Sequence, residues 1–352
     1  MTTRLGSVCL VALLALLAFV PARAQQEEDP DLEDQRKRDE QYLERYREKP
    51  EAPAPADPAE AAKQFLAKAD ALIRDKNHRS TVSTRYRIQT DDPRLDLDAV
   101  GSLLDSFAAF FDGLWPGEGE HPTEPVRVFL FYSYHKYNQL LEADFSRAIV
   151  RPAGHYGSAF GALVVHSDPA DAPLADTLVH EATHQLLDRR VYGSGSGATR
   201  ESIWVTEGLA RCFEHTLMDD DGKFEAGIVG GKHIALVRGS RPPAKSDARE
   251  RLAAVRKALE DPEMMLAFDV VAADEPEEFY GPGVLERYDH AWVLVHYLLY
   301  GDGGRYREGF LRFLAADATG HGDAATLERE CGIDLRALDP ALAAYIKTIS
   351  VK

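Results

Sequence analysis

The chain predicts an α+β fold: a mixed sheet with helices in an upper part that ends near residue 215, then a mainly helical lower part. Three observations point there. Segments with strand-like apolar patterns are concentrated between residues 80 and 167. From Leu174 onward the apolar spacing is predominantly helical. No internal repeat and no Gly-rich phosphate cradle interrupts this order. With 352 residues, 45% hydrophobic and 28% charged, the chain can bury a substantial core and is not disordered throughout.

The first 24 residues read as a signal peptide rather than as part of the fold. Arg4 supplies a positive n-region, Val8 to Val20 an apolar run, and Ala22-Arg23-Ala24 a small-residue cleavage site before Gln25. The run is short for a bilayer span, and an uncleaved anchor is the alternative reading. Cys9 precedes the run, the wrong place for lipid attachment after cleavage. The expectation is an exported protein, periplasmic or extracellular, with no stable membrane span once the signal is gone. Cleavage removes two arginines and no acid, taking the formal charge from −17 to −19. So acidic a chain is not suited to nucleic acid or anionic lipid through a general electrostatic field. Cys212 and Cys331 remain; an oxidising compartment permits a bridge, and two separately buried thiols fit equally well.

Residues 25–60 are rich in charge, Pro and Ala and have little apolar surface to bury, so they read as a tether, with a docking arm as the alternative. The globular pattern of residues 61–352 starts with AAKQFLAKADALI, an amphipathic helix. STVSTRYRIQT (80–90) alternates like a strand, residues 96–114 space their apolar positions as a helix does, and PVRVFLFY (125–132) reads as a buried strand. GHYGSAFGALVVHS (154–167) reads as a Gly-punctuated hairpin. MDDDGKF (218–224) lacks a full calcium-loop pattern and reads as a turn.

LVHEATHQLL (178–187) carries the chemistry. His180 and His184 stand at i and i+4, the helical spacing from which two imidazoles converge on one ion. Glu181 can reach a metal-bound water without itself binding the metal. The competing reading is a core helix with two hydrogen-bonded histidines. A third ligand is needed, and Asp188 does not supply it, because three positions stacked along one helix form a line. Glu207 in IWVTEGLARCFEHT (203–216) is the strong candidate, with Thr206 expected to cap a new helix and Glu207 in its first turn. Glu201 and Glu214 are weaker. Glu214 lies two turns after Glu207 on the same face, placed to partner a histidine.

HEATH followed by WVTEGLA resembles the gluzincin arrangement of the aminopeptidase-N-like and thermolysin-like zinc peptidases, and most nearly the bacterial peptidase-MA-like domains, where a Gly-rich edge strand leads into the motif helix. The resemblance implies a gluzincin-like fold in which His180, His184 and Glu207 bind zinc (Zn2+) and Glu181 is the general base. Further along, YDHAWVLVHYLLYGDGGRYREGFLRFL (288–314) resembles the helix that bears the oxyanion-binding tyrosine, which would be Tyr288. The alternative for Tyr288 is a core aromatic on the stripe Tyr288, Trp292, Val295, Leu299; His290 is a weaker oxyanion candidate. The GAMEN exopeptidase motif is missing, so recognition of a free amino terminus does not follow. Where thermolysin-like enzymes carry an aspartate four residues after the ligand glutamate, this chain has Arg211. YGSGSGATRES between the motifs reads as a slack connection or a rim of the cleft.

The function expected from these residues is an exported zinc metallopeptidase acting on peptide or protein substrates through a metal-bound water and Glu181. Two rivals stand beside it: a non-catalytic, zinc-stabilised binding module of the cell envelope, and a metal hydrolase acting on cell-wall peptide amides. Two imidazoles and one carboxylate suit zinc best among divalent ions.

Overall fold

The computed structural model describes residues 57–115, 124–144, 153–167, 174–193, 202–218, 222–230, 236–238, 248–258, 267–273, 276–279, 284–349 and 351. The signal segment, most of the 25–60 tether, Glu201, the centre of YGSGSGATRES and the middle of MDDDGKF lie outside the described residues.

The first helix, α1 (Pro58–Ile73), starts before Ala61. Pro58 needs no N–H partner in a first turn, and the Asp57 carboxylate accepts from the N–H groups of Ala59 and Glu60. The strand expected over 80–90 is in fact a tight hairpin, β1 (Arg79–Val82) and β2 (Tyr86–Thr90). The cause is not local. Asp105, on α2 (Leu97–Leu114), takes the Ser83 hydroxyl at 3.0 Å and the N–H groups of Thr84 and Arg85 at 2.9 and 3.0 Å, satisfying the turn's donors. Then come β3 (Val126–Phe131), α3 (Tyr134–Asp144), β4 (Gly154–Gly157) and β5 (Ala162–His166). Helix α3 has no counterpart in the sequence reading.

These strands form a five-stranded mixed sheet in the order β1-β2-β3-β5-β4. β2, β3 and β5 run parallel, and β1 and β4 close the two edges antiparallel. The central strands are apolar because both faces are covered. Val126, Val128 and Leu130 of β3 face one apolar cluster, while Phe129 and Phe131 join Phe65, Tyr137 and Leu140 of α1 and α3 on the other face.

The motif helix α4 (Leu174–Leu187) packs on the first face beside α2 and passes through a π-type turn at Asp188–Tyr192. α5 (Ile203–Glu214) follows, then a hairpin of β6 (Thr216–Met218) and β7 (Phe224–Val229), a short interruption of the predominantly helical region expected after Leu174. The rest is helical: α6 (Ala248–Ala258), α7 (Ala267–Ala272), α8 (Pro276–Phe279), α9 (Val284–Tyr300), α10 (Arg307–Asp317), α11 (Ala324–Cys331) and α12 (Asp339–Ile346). One apolar cluster runs from β2 and α2 through α4 and α5 into α9 and α10, so the upper and lower parts share a core. Cys212 and Cys331 do not form a bridge: both are free thiols, Cys212 buried and Cys331 half-buried. No helix among the described residues is long and apolar enough to cross a membrane.

Candidate metal centre

α4 is buried on nearly every side because β4, β5, α2 and α5 all pack on it. That explains why its polar residues stand in an otherwise apolar run. Edge strand β4 lies hard against it: a Cβ at Gly154 would sit 2.7 Å from both Glu181 Cγ and Thr177 Cγ2, so only glycine fits. This approach lets the Tyr156 N–H donate to Glu181 Oε2 at 2.7 Å.

α5 starts at Ile203, with Ser202 before it, rather than at Thr206. The Thr206 hydroxyl instead donates to the Ile203 carbonyl inside the helix, and Glu207 stands in the second turn. Trp204, Val205, Leu209 and Phe213 bury the helix, and Glu207 faces α4. The Nε2 atoms of His180 and His184 are 3.2 Å apart, and Glu207 Oε2 lies 3.5 Å from the first and 3.6 Å from the second. Their donor atoms all lie within 4.8 Å of one another, a group that can hold a metal ion.

A carboxylate stands behind the first histidine. Glu214 Oε2 pairs with His180 Nδ1 at 2.8 Å, which turns Nε2 towards His184 and Glu207. The other oxygen of Glu214 accepts from Arg211 Nη1 at 2.6 Å and lies 3.2 Å from His215 Nε2. Tyr288, on α9, is buried edge-on against Phe279, and its phenol lies against Glu207. The crossing of α5 and α9 is close because position 208 has no side chain; a Cβ there would meet the Ala291 carbonyl oxygen at 2.7 Å.

The electrostatics fit a cation site. Burial opposes charge on His180, but hydrogen bonds to Glu207 and Glu214 prevail and push the imidazole up to about 10. Burial likewise opposes ionisation of Glu207, yet the two imidazoles hold it well below the usual carboxylate range. Glu214 is held low against burial by Arg211, His215 and His180. Burial raises the Glu181 carboxyl, with the two histidines pulling the other way. Burial and the neighbouring Glu207 raise the Tyr288 phenol well above its ordinary value, keeping it a protonated donor. The carboxyls of Glu181, Glu207 and Glu214 thus gather with Arg211 as the permanent cation beside them. Within this cluster, His180, His184 and Glu207 form the group that could hold a metal ion.

Other sequence candidates are placed elsewhere. Asp188 accepts from the Tyr156 hydroxyl at 2.6 Å and is no part of the donor group. His290 pairs through Nδ1 with the Glu286 carbonyl one turn back at 2.8 Å. His155 on β4 is buried near Phe160, and burial pushes it down to about 3, with His184 adding to the effect. Sequence reasoning missed the contributions of Gly154, Tyr156 and Gly208, which depend on approaches between distant segments. The i, i+3 spacing of Arg211 and Glu214 was the one local signal of their pairing.

A family model described as "Protein of unknown function (DUF1570)" matches residues 174–321, a stretch that includes α4, α5 and α9. A comparison with curated proteins finds no match.

Proposed function

We propose that this protein is an exported zinc-dependent metallopeptidase of gluzincin type, with His180, His184 and Glu207 as the metal ligands. The observation that carries the reading is the convergence of those three donors within 4.8 Å, with Glu181 held beside them on the same helix by the backbone of an edge strand. The donor set fits zinc: neutral imidazoles and a carboxylate are borderline ligands, and three protein ligands are the usual number at a catalytic zinc. When bound, the ion would polarise a scissile carbonyl and acidify the attacking water.

The chain's own residues supply the rest. Glu181 is not among the ligands; its carboxylate takes the proton of the attacking water and delivers it to the leaving amine. Burial raises its pKa, which suits a group that must both accept and release a proton. Its hydrogen bond from the Tyr156 N–H fixes where that carboxylate stands. Glu214 holds His180 in the tautomer that keeps Nε2 free to ligate. Tyr288, protonated at neutral pH, is the donor for the developing oxyanion.

The test is metal analysis of the mature chain and of His184→Ala, alongside cleavage of casein, quenched peptides and muropeptides by wild type and Glu181→Gln. Stoichiometric zinc in the wild type, its loss in His184→Ala, and loss of cleavage with retained zinc in Glu181→Gln support the reading. Equal zinc in wild type and His184→Ala, or full turnover by Glu181→Gln, sinks it. Cleavage of muropeptides alone would narrow the substrate to cell-wall amides.

A further inference from the structure

We propose that Arg211 is a positioning residue that ties the two sides of the site together, holding Glu214 behind His180 through an N–H group and the Tyr288 ring through a cation–π contact. The proposal rests on the metallopeptidase reading. Arg211 stands on α5 four residues after Glu207 and three before Glu214, so all three share one face of the helix. Its side chain is only 4% exposed. Nη1 donates to Glu214 Oε1 at 2.6 Å, and the other oxygen of that carboxylate takes His180 Nδ1. The guanidinium carbon lies 5.0 Å from the centre of the Tyr288 ring, whose phenol lies against Glu207. One side chain thus touches the partner of one ligand and the neighbour of another.

A buried guanidinium is costly to desolvate, and an apolar residue of similar volume is often at least as stable in such a place. Neutralising Glu214 would explain a positive charge but not this residue type. A planar guanidinium can donate in its plane to a carboxylate while its face lies on an aromatic ring; the compact ammonium of lysine offers no such division. The charge serves His180 through Glu214, and the cation–π contact serves Tyr288.

The two roles separate in a double-mutant cycle on the full mature chain, using zinc as the probe in a chelator competition and then peptide turnover. R211M is expected to weaken zinc binding by about 10- to 100-fold, the usual effect of removing an outer partner of a ligand. R211K is expected to restore most of that affinity while kcat stays low at unchanged KM, because Tyr288 is no longer braced. Combining R211M with E214Q removes the unpaired buried carboxylate, so this variant folds even if R211M alone does not. It should bind zinc no more weakly than E214Q alone. Zinc affinity of a folded R211M within twofold of wild type overturns the proposal. So does a double variant ten times weaker than E214Q, since Arg211 would then act through something other than Glu214. Full kcat in R211K removes the role at Tyr288. A wild-type chain that binds no zinc defeats the metallopeptidase reading and this proposal together, whereas zinc binding indifferent to Arg211 defeats only the latter.

Discussion

Replacing Gly208 with alanine sets two effects against each other. Alanine in a helix interior is favoured over glycine by about 1 kcal/mol. Against that, the new Cβ would stand 2.7 Å from the Ala291 carbonyl oxygen and 2.8 Å from Val295 Cγ2, where ordinary contact begins at 3.4 Å. The valine methyl can turn aside, but the carbonyl belongs to the backbone of α9 and cannot. Relief therefore needs α5 and α9 to part by about 0.7 Å at their crossing. Overpacking of this kind costs roughly 1–3 kcal/mol, with a backbone obstacle placing it in the upper half of that range. The packing term wins, for a net loss of about 1–2 kcal/mol. In a domain of this size that lowers Tm by roughly 2–4 °C. Glu207 adjoins Gly208 and Tyr288 lies one turn before Ala291, so the same displacement separates the phenol from the carboxylate. A shift approaching 1 Å at such a contact can cost up to about a hundredfold in turnover. Thermal unfolding of the metal-free chain, followed by circular dichroism, reads the first effect without reference to activity. A Gly208→Ala variant as stable as wild type, or more so, would show that the helix crossing is not as close as described and refute the reasoning.

Four further outcomes follow from the same structure. Gly154→Ala should push β4 off α4 and break the Tyr156 to Glu181 hydrogen bond, cutting peptide cleavage by about tenfold or more with zinc content unchanged; loss of zinc in step with activity would contradict it. Asp317 is fully buried and accepts from the hydroxyls of Tyr192 and Ser202 at 2.7 Å each, tying the end of the α4 segment to the start of α5. Asp317→Asn should therefore cost roughly 1–3 kcal/mol in urea unfolding, and a negligible change would remove the tie. Burial pushes His155 down to about 3 and His296 to about 4, so both are neutral in the fold while the unfolded chain protonates near 6.5. Their contribution is present above pH 6.5 and is lost as pH falls through that window towards 3–4; His155→Gln should flatten the slope of metal-free stability over that range. His180 has the opposite sign: it is pushed up to about 10, so zinc binding there is expected to displace a proton at any pH below about 10. Calorimetry in buffers of different ionisation enthalpy should detect that release, and buffer-independent heats would argue against it.

Much of the fold was legible where the signal is periodic. Helix α2, strand β3 and the β4–β5 hairpin each carry a local apolar pattern that a buried neighbour turns into structure. The β1–β2 turn and the β6–β7 hairpin were not legible. The first depends on Asp105, about twenty residues away, and the second interrupts a region whose composition reads as helix. The start of α5 was misplaced because the Ser202 hydroxyl is spent on Asp317 rather than on capping the helix, so the usual cap signal pointed to Thr206 instead.

The sequence by itself determined that two imidazoles share a helical face with a glutamate beside them, because i and i+4 are neighbours on any α-helix whatever surrounds it. It also determined that α4 would be buried, since an apolar run can only be stable with its surface covered. Only the tertiary structure decided that Glu207 completes the donor group, that Glu214 and Arg211 stand behind it, and that Tyr156 and Gly154 hold Glu181. Those contacts join segments whose approach is set by side-chain volume at the crossings, at Gly154 and Gly208 above all. Close packing is a property of two surfaces together, and neither surface states it alone.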